Sequence, residues 1–313
     1  MKTILTDDPI EAAAIIRAGG SVAFPTETVY GLGADALNAE AVAKIFEAKK
    51  RPPDNPLIAH IGSLDQVSSL AAEITPAAEI LIERFFPGPL TVVLKRSARV
   101  PLIATAGLDT IGIRMPRHPL ASAFLAACAT PVAAPSANLS GRPSPTTWQA
   151  VQEDLEGRID CILQGSATEI GLESTVVDCS GSRPILLRSG AISMEELLDV
   201  CPDVQMADDD LAETPRSPGM RHRHYSPRAT IELTDDVRTI DASAGMAFIG
   251  VSQPPEGFGL VKVCSGAEEY ARELFEFFRA CDRFGIRTIY CEAAPETGIG
   301  AALMDRIRRA AEQ

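Results

Sequence analysis

The stretch SVAFPTETVYGLG, residues 21–33, decides how the first part of the chain folds. Its apolar start, Val22–Phe24, is typical of a buried strand that runs into Pro25. Two threonines, a glutamate and a tyrosine then crowd residues 26–30. A core strand would carry Val or Ile there, and a simple turn would need only Gly, Asn or Asp. The pattern therefore predicts a wall of small hydrogen-bonding groups held against a ligand.

The composition is that of an ordinary globular protein, with 313 residues of which 46% are hydrophobic and 23% charged. This length favours two domains. The chain contains no run of eighteen uncharged apolar residues, and its N-terminus has acids where a signal peptide would be apolar. We therefore expect a cytoplasmic protein with no membrane contact.

The net charge of −13 argues against a broad phosphate-binding face, so direct binding to nucleic acid is expected to be absent or weak. A small basic pocket for one phosphate-bearing ligand remains compatible with this charge. The seven cysteines are scattered and form no C-x-x-C pair, which favours buried reduced thiols over disulfides or metal ligands.

Apolar residues at helical spacing alternate with short apolar runs over the first 200 residues. Helices are predicted over 8–18, 39–49, 76–86, 119–129, 146–156 and 193–200. Strands are predicted over 22–24, 57–61, 90–94, 111–113, 132–134, 162–163, 174–177 and 185–187. Several strands follow one another directly after residue 158, so an α/β fold with a mixed sheet is expected.

The pattern changes near residue 202, where apolar periodicity stops and prolines become frequent. Further on, strands predicted over 247–251, 260–263 and 288–291 alternate with helices predicted over 267–284 and 300–312. This order is typical of a small parallel α/β, Rossmann-like unit. We therefore expect a domain at 1–201, a linker at 202–228 and a smaller domain at 229–313.

Two common nucleotide motifs do not apply. Gly31–Ala36 matches G-x-G-x-x-A, but seven residues separate Phe24 from Leu32, and the next helix begins only near Asn38. A dinucleotide loop would follow its strand at once and open a helix. The chain has no G-x-x-x-x-G-K-[ST], so an ATP site in it would not be a P-loop.

Four donor-rich fragments stand at the ends of predicted strands: PTETVYGLG (25–33), KKRPPDNPLIAH (49–60), IGIRMPRHP (111–119) and APSANLSGRPSPT (134–146). If these strands share a sheet, their loops can converge on one ligand. Prolines in residues 52–56 stiffen the loop and would hold Arg51 and Asn55 in place. Since Lys49 and Arg51 follow a helix end, we expect both to face solvent or ligand. Arg114 lies within a strand and needs an anion, from the protein or from a ligand.

These residues also carry a resemblance. PTETVYGLG, K-x-R-P with a downstream N-P-L, the S-x-N of PSAN and GLESTVVD (171–178) together resemble the threonylcarbamoyl-AMP synthases, the YrdC-like family. The linker SPGMRHRHYSP is similar to that of the longer members, which carry a C-terminal domain. The resemblance implies a twisted, mixed open sheet with a basic concave site. It departs at Lys50, where the family pattern often has glycine.

The resemblance implies a nucleotidyltransferase. L-threonine and bicarbonate or CO2 would give N-carboxy-threonine, whose carboxylate attacks the α-phosphorus of ATP and releases pyrophosphate. A separate transferase would then move the threonylcarbamoyl group onto tRNA, to which this acidic chain is itself expected to bind weakly or not at all. Mg2+ is implied together with ATP, held mostly by phosphate oxygens and water, and no protein ligand is assigned to it.

The motif matches also imply roles for individual residues. The catalytic set at the phosphates would be Lys49, Arg51, Ser136 and Asn138. Contacts to ATP would come from Arg51, Asn55, Thr110, Ser136, Ser144 and Arg188. L-threonine would be held by Thr28, His60, Arg114, Ser174 and the backbone at Ala134. Arg114 would then find its anion in the carboxylate of the substrate.

The linker is dense in Arg, His and Tyr, and Pro218 and Pro227 restrict it. A stiff, basic segment beside a triphosphate site is suited to be a lid that excludes water. In this hypothesis Tyr225 contacts the nucleotide of ATP, and Arg221 or Arg223 contacts its phosphates. The alternative is a mere connector with surface charges.

Two other functions stay open at this point. The first is an RNA-binding module without catalysis, which the net charge of −13 disfavours. The second is a carbamoyltransferase of the hydrogenase-maturation type, disfavoured because the chain has no C-x-x-C for a zinc finger. The C-terminal unit shows no catalytic constellation, so it could close the site, dock a transferase or only stabilise the fold.

Overall fold

A computed structural model describes residues 2–207 and 225–312. Strands in these two ranges form two separate sheets, both accompanied by helices. The expected α/β fold class is therefore confirmed. No helix within the two ranges is long and apolar enough to cross a membrane.

The larger sheet belongs to residues 2–207, here called the first unit, and contains eleven strands. In chain order they are β1 (Ile4–Thr6), β2 (Val22–Phe24), β3 (Gly31–Asp35), β4 (Ile58–His60), β5 (Leu90–Lys95), β6 (Thr110–Arg114), β7 (Val132–Ala134), β8 (Cys161–Leu163), β9 (Thr175–Asp178), β10 (Ile185–Arg188) and β11 (Gln205–Met206). Their spatial order is β1-β8-β2-β3-β7-β4-β6-β5-β9-β10-β11. β4 and β6 run parallel whereas β2 and β3 run antiparallel, so the sheet is mixed, as predicted.

Five of the seven helices described in the first unit begin at a capping side chain. The seven are α1 (Pro9–Arg17), α2 (Ala39–Lys49), α3 (Val67–Leu70), α4 (Pro76–Phe85), α5 (Pro119–Cys128), α6 (Trp148–Leu155) and α7 (Met194–Val200). All except α3 and α5 have this cap. Asn38 accepts hydrogen bonds from the backbone N–H groups of Glu40 and Ala41 at the start of α2. Ser193 and Glu196 form a reciprocal capping box at the start of α7. Short 3-10 helices lie at Leu64–Gln66 and Leu102–Thr105.

The second unit, residues 229–312, has a smaller sheet of four parallel strands. These are β12 (Thr230–Thr234), β13 (Met246–Gly250), β14 (Leu260–Val263) and β15 (Thr288–Glu292), in the spatial order β12-β15-β13-β14. Helices α8 (Ala267–Phe284) and α9 (Ile299–Ala311) and a 3-10 turn at Val237–Thr239 complete it. The predicted parallel α/β unit is confirmed. β11 lies beyond residue 201 and pairs with β10, so the larger sheet extends past the predicted end of the first domain. The domain limits themselves stay a prediction.

Four of the described strands were not predicted from the sequence, for two reasons. β1, β11 and β12 are edge strands with exposed residues, so they show no continuous apolar run. β3 is rich in glycine, which is rare in strands. A Cβ on Gly33 would lie 2.5 Å from Cγ1 of Val132 and 2.9 Å from Cε1 of Phe24, so the packing around β3 leaves no room for a side chain.

The two units pack closely against each other. Val29 and Leu172 of the first unit belong to the apolar core formed around α8 and α9. Gly171 has a positive φ of 83°, and a Cβ on it would lie 2.4 Å from Cα of Arg272 in α8. The absence of a side chain at this position therefore lets α8 rest directly on the backbone of the first unit.

A buried ion pair also joins the units. Arg279 of α8, 4% exposed, donates through Nη2 to Oδ2 of Asp154 at 2.9 Å and to the carbonyl of Pro143. Asp154 further accepts from Nη1 of Arg142 at 2.7 Å and from the backbone N–H of Leu139 at 3.1 Å. Burial alone would raise the pKa of Asp154, but Arg279 and Arg142 lower it below its ordinary value. The carboxylate is therefore charged and depends on its arginine partners.

We expect Arg279→Ala to lower the free energy of unfolding by about 3 kcal/mol, because it removes a partner from a buried carboxylate. The matched control is Arg283→Ala in the same helix, whose pairs with Glu153 and Glu276 involve partly exposed side chains. Such pairs contribute less than about 1 kcal/mol. Urea unfolding followed by circular dichroism measures both losses, and equal losses would contradict the expectation.

Candidate active site

A cavity lies where the four donor-rich fragments meet. All four contribute to its wall, together with the segment after Gly171, the end of β10 and Tyr225. The described residues that line it are Thr26, Thr28, Val29, Gly31, Lys49, Arg51, Ile58, His60, Arg114, Ala134, Pro135, Ser136, Asn138, Ser140, Arg142, Ser144, Glu173, Ser174, Arg188 and Tyr225. The loops that the sequence placed at strand ends thus converge on one space.

Lys49, the last residue of α2, is clamped to the loop after β7. Its Nζ donates to the carbonyls of Ser136 and Asn138 and lies 3.3 Å from Oδ1 of Asn138. Ser136 Oγ lies 2.6 Å from the same Oδ1. Lys49 is 1% exposed, so it does not face solvent, and burial followed by repulsion from Arg51 lowers its pKa well below the ordinary value. Its removal would therefore disturb the loop as well as the charge.

The backbone conformation of Lys50 explains why the family pattern K-x-R-P often has glycine at this position. It ends α2 in the left-handed conformation, with a φ of 52°, and its side chain is exposed. Glycine adopts this conformation most easily. Lys50 therefore adopts a backbone conformation that is less favourable for lysine than for glycine, at the surface and outside the described cavity wall.

Two arginines, Arg51 and Arg188, also contribute to the basic part of the cavity. Arg51 donates through Nε to the carbonyl of Asn55 at 3.3 Å and through Nη2 to that of Pro56 at 3.1 Å. Arg188 donates through Nε and Nη2 to the carbonyl of Ser174, at 3.1 and 3.0 Å. Burial lowers the pKa of Arg51 to about 10 and also lowers that of Arg188. In these bonds both guanidinium groups are held by main-chain oxygens.

Arg114 finds its anion in the protein. Its Nη2 donates to Oε1 of Glu27 at 2.7 Å, and its Nη1 donates to Oγ1 of Thr28 at 2.8 Å. Glu27 is fully buried, and its Oε2 accepts from the backbone N–H of Arg117. Thr26 and Thr28 share a hydrogen bond of 2.8 Å between their hydroxyls. The threonine-rich wall is thus a rigid network that aims the Arg114 guanidinium into the cavity.

His60 is paired with Arg114 in the register of β4 and β6, and Ser174 lines the same cavity. Burial, assisted by the positive charge of Arg114, lowers the pKa of His60 to about 3, so its imidazole is neutral. Nδ1 of His60 lies 3.2 Å from the carbonyl of Ile58, and its ring meets the edge of Phe24. Ser174 shares a hydrogen bond of 2.8 Å with Thr91.

Glu173 and Tyr225 connect the cavity to the second unit. Glu173 accepts from Oγ of Ser144 at 2.5 Å and from Nε of Arg306 in α9 at 2.9 Å. The Tyr225 ring stacks on Phe275 of α8, with 5.3 Å between ring centroids. The predicted contact between Tyr225 and the nucleotide stays a prediction, but its side chain is buried in the cavity wall.

Some predicted site residues are not in the described lining. The backbone carbonyl of Asn55 accepts a hydrogen bond from Nε of Arg51 and so helps to fix the Arg51 side chain. Thr110 lines a smaller neighbouring cavity, and Ile58 contributes to both cavities. Arg221 and Arg223, predicted as phosphate contacts of a lid, fall outside the described residues.

No individual role was predicted for Glu27, Glu173 or Arg306. Glu27 and Glu173 both stand inside the motifs 25–33 and 171–178, but the sequence does not show which arginine each of them meets. Arg306 gives no such signal, because it is one of three arginines in α9. All seven cysteines are buried, and none lines the described cavity wall.

Comparison with known proteins places the chain in a family. The family model described as "Telomere recombination" matches residues 14–190, and the one described as "Threonylcarbamoyl-AMP synthase, C-terminal domain" matches residues 192–312. A threonylcarbamoyl-AMP synthase of Pyrococcus abyssi is 44% identical over 96% of this chain and 92% of its own length. A threonylcarbamoyl-AMP synthase of Bacillus subtilis is 43% identical over 98% and 94%, respectively.

A solved structure agrees with these sequences. The crystal structure of P. abyssi Sua5 complexed with L-threonine has a TM-score of 0.91 and 41% identity, and the match covers 99% of this chain and 98% of that one. The similarity therefore extends over both units. From these matches, the chain belongs to the threonylcarbamoyl-AMP synthase family.

Proposed function

We propose that the cavity condenses L-threonine, bicarbonate or CO2, and ATP into threonylcarbamoyl-AMP and pyrophosphate. The enzyme is a nucleotidyltransferase, the activity named for relatives that match nearly the whole chain. One observation carries the proposal for this site. Buried cations held by main-chain oxygens share a single cavity with a rigid group of hydroxyls around Arg114.

L-threonine is assigned to the side of Thr28, His60, Arg114, Ser174 and the backbone of Ala134. Support comes from the network in which Glu27 and Thr28 fix the Arg114 guanidinium before any ligand arrives. A carboxylate that binds there meets a donor which needs no reorientation. The solved P. abyssi relative was crystallised with L-threonine.

ATP is assigned to the side of Lys49, Arg51 and Arg188, with Ser136 and Asn138 in the loop that Lys49 holds. The carboxylate oxygen of N-carboxy-threonine attacks the α-phosphorus, and the bond from that phosphorus to the pyrophosphate oxygen breaks. Its electron pair leaves with pyrophosphate. Negative charge spreads over the phosphoryl oxygens during this step, and fixed cations in a dry cavity stabilise it.

The remaining ATP contacts extend from this side. Ser144 and Tyr225 lie in the same wall, and Thr110 lines the neighbouring cavity that Ile58 connects to the main one. We assign Asn55 and Thr110 to parts of ATP away from the reacting phosphorus. Asn55 acts there through the loop that also holds Arg51.

Magnesium enters as part of the Mg·ATP substrate. Over residues 2–207 and 225–312, no cluster of three or more His, Cys, Asp or Glu side chains could hold a metal ion. The cavity wall offers cations and hydroxyls, and its carboxylate Glu173 is bound by Arg306. This donor set fits an ion carried by phosphate oxygens and water.

The product is a reactive mixed anhydride, so we assign its consumption to a separate transferase that acts on tRNA. An RNA-binding role without catalysis is less compatible, since four of the five cations in the described cavity wall are buried and the net charge is −13. A carbamoyltransferase of the hydrogenase-maturation type does not account for the second unit, which matches the C-terminal domain of threonylcarbamoyl-AMP synthases.

Pyrophosphate release from ATP should require both L-threonine and bicarbonate, because the attacking carboxylate forms from them. A coupled pyrophosphate assay with each substrate omitted in turn measures this dependence, and mass spectrometry identifies the nucleotide product. Equal release of pyrophosphate without threonine would overturn the assigned reaction.

Arg51→Ala should lower turnover about 100-fold, since the loss of one charge contact in the transition state costs roughly 3 kcal/mol. Lys50→Ala is the matched control, as this neighbouring cation is exposed and outside the described cavity wall. Pyrophosphate release measures the rates, and circular dichroism verifies the fold. A rate for Arg51→Ala close to that of the control would remove Arg51 from the phosphate site.

His60 should make the protein less stable in acid. Its pKa falls from an ordinary 6.5 to about 3 in the folded state, so between these values the unfolded chain binds one proton more. The stabilising contribution is complete above pH 6.5 and is lost as the pH falls towards 3. Between about pH 5.5 and 4, the free energy of unfolding should fall more steeply than in His60→Gln by about 1.4 kcal/mol per pH unit. Urea titrations at several pH values measure both slopes, and identical slopes would refute the assignment.

A further inference from the structure

The described cavity wall contains one acidic residue, Glu173, among five cations. These cations are Lys49, Arg51, Arg114, Arg142 and Arg188. Glu173 is 7% exposed, so little water screens its charge. A carboxylate in such a place repels the phosphates of a nucleotide unless another group compensates it.

The compensating group comes from the second unit. Arg306 of α9 is fully buried, although it is not part of the described cavity wall. Its Nε donates to Oε2 of Glu173 at 2.9 Å, and its Nη2 donates to the carbonyl of Ser189 at 2.9 Å. Its Nη1 donates to the neighbouring Asp305. Arg306 is thus fixed on three sides.

Because Arg306 fixes Glu173, Glu173 in turn restrains a hydroxyl of the cavity wall. Its other oxygen, Oε1, accepts the hydroxyl of Ser144 at 2.5 Å. Because the carboxylate can only accept, this bond fixes the hydroxyl hydrogen of Ser144 on Glu173. The guanidinium carbon of Arg306 also lies 5.4 Å from the centroid of the Tyr225 ring. Arg306 therefore contacts two residues of the wall and orients a third through Glu173.

The charge state of Glu173 depends on this contact. Burial by itself would raise its pKa, whereas Arg306, Arg188 and the Ser144 hydroxyl lower it below the ordinary value. The carboxylate is consequently ionised near neutral pH. Without Arg306, the Glu173 carboxylate would lose its first charge partner and would act with less compensation on a bound phosphate.

We propose that Arg306 is a positioning residue of the nucleotide site, through which the second unit neutralises Glu173 and holds Ser144 and Tyr225 in place. This inference rests on the assignment of ATP to the cavity. It gives the second unit a direct part in nucleotide binding, although that unit contributes no group that reacts.

Isothermal titration calorimetry with ATP on the full-length protein tests the proposal. Arg306→Met keeps the apolar stem and removes the charge, and should weaken ATP binding by about tenfold or more. In the double variant Arg306→Met with Glu173→Gln, the repelling charge is gone, and affinity should return to within about threefold of the wild type. The matched control is Arg308→Met in the same helix, whose exposed pair with Glu296 lies away from the cavity. This control should bind ATP like the wild type.

Glu173→Gln alone provides a second measurement that does not depend on the stability of Arg306→Met. It removes the carboxylate that repels the phosphates and leaves Arg306 paired with Asp305, so it should bind ATP more tightly than the wild type. Weaker binding in this variant would overturn the proposal. So would an affinity of Arg306→Met equal to that of Arg308→Met, or a loss that Glu173→Gln fails to restore, since Arg306 would then act only as a structural link. If the wild type does not bind ATP, the assignment of ATP to the cavity fails as well.

Discussion

Burying several positive charges around one cavity is the constraint on which the rest of the structure depends. A buried ammonium or guanidinium loses its water and must find oxygens of the protein instead. Lys49 takes carbonyls of the loop after β7, Arg51 takes those of residues 55–56, and Arg114 takes the carboxylate of Glu27. The first bond ties the end of α2 to the loop after β7, the second closes the loop at residues 51–56, and the third ties β6 to the loop before β3. The rigidity of the wall and its affinity for anions therefore have the same origin.

The second unit is held by contacts that reach the same wall. Apolar packing around Val29 and the buried pair of Arg279 with Asp154 join it to the first unit. Asp154 in turn supports the backbone of Leu139, in the loop that Lys49 clamps. A domain without reactive groups thus contributes to the geometry and electrostatics of the cavity.

Local features of the chain could be predicted from the sequence, whereas long-range pairings could not. The range 267–284 matches α8 because its apolar spacing lies within the helix itself. The need of Arg114 for an anion was also readable from its place in a strand. Its partner Glu27 was not, because nothing local distinguishes a substrate carboxylate from one in the protein. Glu173 and Arg306 are 133 residues apart in the sequence, so no local pattern connects them. The glycine of β3 at position 33 has its reason in neighbours that only the fold brings close.

The contact between Glu173 and Arg306 has an evolutionary consequence. A carboxylate in the cavity is tolerable as long as a second domain delivers an arginine to it. A relative built from the first unit alone has no α9 and would have to change this position or find a cation elsewhere. The residue type at position 173 and the presence of the C-terminal domain should therefore have been gained and lost together. Across the family, a single side chain in the first domain would record whether the second domain is present.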